Sequence, residues 1–170
     1  MGGLILQMLQ PGEQILHRGG GYDKLNKWMH LLDDVMSVMF VVDLCSYDQT
    51  NPEQPTTSLL MESLALFEWV ANSPWFVRTS IILLFNNIGR FKQKLPKEPL
   101  QNYLPNYSGG NDVNEVMDYI LSHFNQRNRA HRLLFAHFTD LADTDTLKLV
   151  IAAVKETIIN NALLDSGIER

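Results

Sequence analysis

Thr79-Ser-Ile-Ile-Leu-Leu-Phe-Asn-Asn-Ile-Gly-Arg-Phe91 is the stretch whose reading decides the fold. Ile81 to Phe85 are apolar without alternation, and the turn formers Asn86, Asn87 and Gly89 follow at once. A short run, apolar on both faces and stopped by turn residues, reads as a strand buried inside a parallel sheet. Ligands of open α/β sheets bind just past the carboxyl ends of such strands. The loop Asn86 to Arg90 is therefore the first place to look for chemistry.

Working outward, Val38 to Val42 and Leu133 to Phe138 are two more unbroken apolar runs, and both read as buried strands. Between the first pair, Ser58 to Ala71 is apolar nearly all round, with Glu62, Ser63 and Glu68 as its wet side. That pattern is a helix packed on the sheet. Residues 92–111 hold Pro96, Pro99, Pro105, Gly109 and Gly110 and read mostly as loop. Asp112 and Glu115 have capping-box spacing ahead of the helical stripe Val113, Val116, Met117, Ile120 and Phe124. A last helix carries Leu147, Val150, Ile151, Val154 and Ile158 on one face. At the other end, Leu4 to Leu9 and Glu13 to His17 flank Gln10-Pro11-Gly12, which predicts a hairpin. Gly19 to Gly21 then break the chain before Leu25, Trp28, Met29 and Leu32, one face of a short helix. Strands separated by helices mean an α/β fold, and 170 residues make one domain, residues 1–170.

The net charge of -5 is spread without a basic run, which argues against nucleic acid as a partner. Cys45 stands alone, which excludes an internal disulfide and suits a reducing compartment. No apolar run approaches the ~20 residues of a spanning helix, so no transmembrane segment is expected. Gly2 is present, but Leu6 stands where a myristoyl signal has Ser or Thr, so the chain is expected to be unacylated. His17, His30, His123, His131 and His137 have no metal-ligand spacing, so no metal site is expected.

Several blocks fall in a familiar order. Gly19-Gly20 precede a helix holding Lys27-Trp28-Met29-His30, and Ser46-Tyr47-Asp48, Glu62-Ser63, Trp75-Phe76 and Thr79-Ser80-Ile81-Ile82-Leu83 follow. Pro105-Asn106-Tyr107, His137-Phe138-Thr139 and the ending Asp165-Ser166-Gly167-Ile168 fit as well. Together they resemble the carboxyl-terminal half of the GTPase domain of heterotrimeric G-protein α subunits, with a tail like the inhibitory type, from Glu13 onward. The resemblance implies a three-layer, Ras-like P-loop-NTPase sheet with helices on both faces. Its amino-terminal strand–P-loop–helix unit is missing, since no Gly-x-x-x-x-Gly-Lys-Ser/Thr occurs in the sequence. It also implies GTP or GDP with Mg²⁺ as cofactors, and G-protein βγ and a seven-helix receptor as partners. The place is the cytoplasm, at the inner face of the plasma membrane through those partners. The docking residues it implies are Lys27, Trp28, His30, Trp75, Phe76, Asp165, Gly167 and Ile168.

The departures from the family pattern fall on the chemistry. Where the resemblance implies Asp-Val-Gly-Gly-Gln, the chain has His17, Arg18, Gly19, Gly20 and Gly21, so Gly21 replaces the Gln that orients the attacking water and no catalytic residue remains. The guanine-reading Asn-Lys-x-Asp appears as Asn86-Asn87-Ile88-Gly89. Losing the bidentate Asp contact costs at least ~3 kcal/mol. The second base loop reads Thr139-Asp140-Leu141-Ala142, with Asp140 and Leu141 adding charge and bulk beside the purine. The family's missing strand lies between the Glu13–His17 and Met36–Leu44 strands, so those two must pair directly or leave two open edges. The expectation is a signalling protein of this family with nucleotide binding and hydrolysis impaired. The alternatives are a nucleotide-free module or decoy docking on βγ or receptor, and a truncated product with no role of its own.

Overall fold

A computed structural model of the chain describes residues 6–9, 15–18, 37–52, 54–77, 79–104 and 106–140, together with Ala152, Glu156 and Ile159. The strands are β1 (Leu6–Leu9), β2 (Ile15–Arg18), β3 (Ser37–Asp43), β4 (Thr50–Asn51), β5 (Gln54–Ser58), β6 (Ser80–Asn86) and β7 (Leu134–Phe138). The helices are α1 (Leu59–Asn72), α2 (Ile88–Lys94) and α3 (Val113–Arg127). One sheet has the order β2-β1-β3-β6-β7, and β4 and β5 form a small ribbon apart from it.

The quoted run is an interior strand of this sheet. β6 pairs in parallel with β3 on one side and β7 on the other. Val38, Phe40 and Val42 of β3, with Ile81, Leu83 and Phe85 of β6, face the core beneath α1 and α3. The alternate residues Met39, Val41, Ile82 and Leu84 are buried too. Burial on both faces is what the absence of alternation in these runs dictates. A line of ring contacts joins sheet to helices: Phe40 meets Phe67 of α1 at 5.4 Å, Phe67 meets Phe124 of α3 at 5.1 Å, and Phe124 meets Phe85 at 5.2 Å.

The helix starts follow from their caps. The Ser58 hydroxyl accepts the Met61 N–H at the start of α1. The Asp112 carboxylate accepts the N–H groups of Asn114 and Glu115 at the start of α3. At the far end of α1, Arg132 donates to the carbonyls of Ala71, Ser73 and Val77 and fixes the connection into β6.

Four expectations change. The gap left by the family's missing strand is neither closed by direct pairing nor left open, because β1 lies between β2 and β3, antiparallel to both. The loop read from Asn86 to Arg90 turns helical at Ile88 and stays so to Lys94, within a span read mostly as loop. β7 is half-buried throughout, not fully buried, because among the described strands it has a neighbour on one side only. Glu62, Ser63 and Glu68 are half-buried, so α1 has little wet side. The helix read at Leu25–Leu32 and most of the last helix lie outside the described residues.

Phe124 links both layers and is 1% exposed. Phe124→Ala is expected to lower the unfolding free energy by about 3–5 kcal/mol, read by urea denaturation.

Candidate functional site

Parallel register brings the carboxyl ends of β3, β6 and β7 to one edge, with Asp43 opposite Asn86 and Phe85 opposite Phe138. Asp43 ends β3 and caps the tight turn Leu44–Asp48. Its Oδ1 accepts the Cys45 N–H at 2.9 Å and the Asn87 side-chain amide at 2.9 Å. Asn87 sits at φ 66°, a left-handed conformation that Asn tolerates, and this turns the chain from β6 into α2. The Cys45 thiol lies 3.8 Å from the Asn87 carbonyl. Its pKa is raised, first by burial and then by Asp43, which keeps it a protonated, unreactive core group.

The last turn of α2 is tied to the same region. The Lys94 ammonium donates to the Cys45 carbonyl at 2.8 Å and to the Asp48 carboxylate, and it lies 5.0 Å from the centre of the Tyr47 ring. The Tyr47 hydroxyl donates to the Glu98 carbonyl, and burial pushes its pKa well up.

The first turn of α2 is tied to β7. The Thr139 N–H donates to the Phe85 carbonyl at 2.8 Å, and the Ile88 N–H donates to the Thr139 carbonyl at 3.3 Å. Asp140 then takes the next amide: its Oδ2 accepts the Gly89 N–H at 3.1 Å. A Cβ added to Gly89 would sit 2.9 Å from that same oxygen. The carboxylate therefore occupies the space into which a side chain at position 89 would project. The Thr139 hydroxyl is buried with no partner among the described residues.

Chemically this edge is rich in acceptors. The carboxylates of Asp43 and Asp140 stand there, while the N–H groups of Ile88 and Gly89, which an incoming anion would need, are already bonded. Such a surface does not welcome phosphate. Gly89 carries no side chain to accept from a base edge, and the Asp140 carboxylate beside it accepts the Gly89 N–H. No group of three or more His, Cys, Asp or Glu that could hold a metal occurs among the described residues.

The structure thus gathers Asn86, Asn87, Gly89 and Asp140 at one edge and adds Asp43. Asp140, expected to add charge beside the base with Leu141, accepts the Gly89 N–H in the first turn of α2. Asp43 was not singled out, although an Asp closing a strand ahead of a turn is itself a capping signal. His17 and Arg18 lie on β2, where His17 pairs with Gln7. Gly19, Gly20, Gly21, Lys27, Trp28, His30, Leu141, Asp165, Gly167 and Ile168 lie outside the described residues.

Trp75 and Phe76 divide between surface and core. Phe76 is completely buried, whereas Trp75 is 53% exposed, with Val77 and Leu133 also open to solvent. Trp75 edges a groove formed with Trp69, Asn72, Glu68 and Arg129. This groove borders the segment leading into β6, at the sheet end opposite Asn87 and Asp140.

Asp140→Ala is expected to cost about 1 kcal/mol of stability. Gly89→Ala should cost a similar amount, because its methyl displaces the same carboxylate. The double variant should lose less than the sum of the two, and urea denaturation of all four proteins checks this.

Comparison with known sequences agrees with the sheet and the motif order. The family described as G-protein alpha subunit matches residues 10–158. A guanine nucleotide-binding protein alpha-3 subunit of Neurospora crassa is 54% identical over 150 residues, covering 88% of this chain and 42% of that protein. A guanine nucleotide-binding protein subunit alpha of Cryptococcus neoformans is 51% identical and covered over 35% of its length. The alpha-2 subunit of Saccharomyces cerevisiae is 46% identical and covered over 33%. The chain spans less than half the length of these relatives.

Proposed function

For this chain, which belongs to the G-protein alpha subunit family, we propose a signalling role carried by docking, with guanine-nucleotide binding weak and hydrolysis lost. The single observation that carries the reading is Gly89 at the place of the family's base-reading Asp, in the first turn of α2. Gly89 has no side chain to offer guanine the bidentate acceptor of the family's Asp. Gly21, at the place of the family's water-orienting Gln, supports the loss of hydrolysis.

Docking on G-protein βγ or a seven-helix receptor would use Trp75 with Lys27, Trp28 and His30, and the tail residues Asp165, Gly167 and Ile168. What supports Trp75 is its exposure on a connection that Arg132 holds by its carbonyls. Aromatic anchors on rigid supports dominate interfaces. The chain would work in the cytoplasm, reaching the inner face of the plasma membrane through its partners. No helix among the described residues is long and apolar enough to cross a membrane.

Titration with a fluorescent GTP analogue and Mg²⁺ is expected to give no saturation in the micromolar range, and saturable micromolar binding would overturn the nucleotide reading. In a pull-down with purified βγ, the chain is expected to be retained and Trp75→Ala to be retained several-fold less. No retention of the wild-type chain by βγ or by receptor would overturn the docking reading.

A further inference from the structure

We infer that the cavity between α1 and α3 is a binding site for a neutral, flat aromatic molecule bearing one hydrogen-bonding group. The cavity measures about 250 Å³. An engineered apolar cavity of roughly 150 Å³ is enough to take benzene. The space here fits a bicyclic ring system.

Its floor is Leu60 and Leu64 of α1 with Ile120 and Phe124 of α3, each at most 3% exposed. Above the floor stand the half-buried Met61, Tyr119 and His123, and Thr56 lies exposed at the mouth. The site therefore has a dry base and an open entrance. It shares no residue with the edge formed by Asn87 and Asp140.

The lining sets the ligand's charge. Among the described residues, no Lys, Arg, Asp or Glu lines the cavity. Burial, and then Arg127, lower the pKa of His123, so its imidazole is neutral near pH 7. A charged ligand would lose its hydration there without gaining a counter-charge.

The lining also sets the ligand's shape and its polar group. The Tyr119 and His123 rings meet edge to face, with centroids 4.5 Å apart, and form one wall. Leu60, Met61 and Leu64 supply the aliphatic part of the lining. A planar apolar body suits such a slot, since rings pack well against ring edges and methyl groups. Among the described residues neither the His123 imidazole nor the Tyr119 hydroxyl has a hydrogen-bond partner. Half-buried polar groups left without partners are what a ligand hydroxyl or ring N–H would satisfy.

The test uses 2-naphthol and naphthalene on the full chain at pH 7.5, followed by NMR chemical-shift mapping. The expected result is saturable binding of 2-naphthol with shifts centred on Thr57, Leu64, Ile120 and His123. His123→Phe should weaken 2-naphthol about five- to tenfold, the worth of one hydrogen bond, and leave naphthalene within about twofold. Met61→Trp, a substitution at the rim that leaves the floor intact, should block both compounds. Failure of wild type to bind either compound, shifts centred elsewhere, or equal weakening of both compounds by His123→Phe would each overturn the proposal. The wild-type map decides the matter even if a variant does not fold.

Discussion

The parallel pairing of β3 with β6, from Ser37–Ser80 to Asp43–Asn86, is the constraint on which the described structure rests. Both strands are buried on both faces, so their backbone groups have no access to water and must bond to each other. Apolar side chains on each face then fix which layers can cover them, and the ring chain Phe40, Phe67, Phe124, Phe85 records that packing on one face. The same register decides where the polar ends of the strands emerge. Asp43 and Asn87 meet because β3 and β6 stop level with one another.

At that edge, α2 takes its cap from Asp140, 51 residues away in sequence from Gly89. A helix of seven residues with no cap from its own Asn87 side chain has little stability alone. Bonds from Thr139 and Asp140 at its first turn and from Lys94 at its last turn hold it in place. The amides of Ile88 and Gly89 are spent inside the protein, where they order this edge.

Local pattern made much of this legible. The run Ile81–Phe85, the Ser58 and Asp112 caps and the stripe through Phe124 each lie within one element, and hydrophobic period or cap spacing reports them directly. What was not legible is non-local. α2 contains Gly89 and follows two Asn residues, and its first turn is bonded by Thr139 and Asp140, from another strand's end. The half-burial of β7 depends on its place at one side of the sheet, which no window of sequence contains. Phe76 and Trp75 are adjacent aromatics, and only the turn of the Pro74–Phe76 segment sends one inward and the other out. The family pattern misled about the place between β2 and β3, because the strand it puts there is absent from the sequence and β1 fills the place instead.

β1 runs against both of its neighbours, so β2 and β3 share one direction. Their facing edges are therefore indifferent to polarity: a guest strand of either orientation could complete the ladder between them. What selects the resident is its tether, since residues 10–14 join it to β2 and give it a local concentration that a free competitor must match. Occupancy of the place between β2 and β3 is in this sense a matter of mass action.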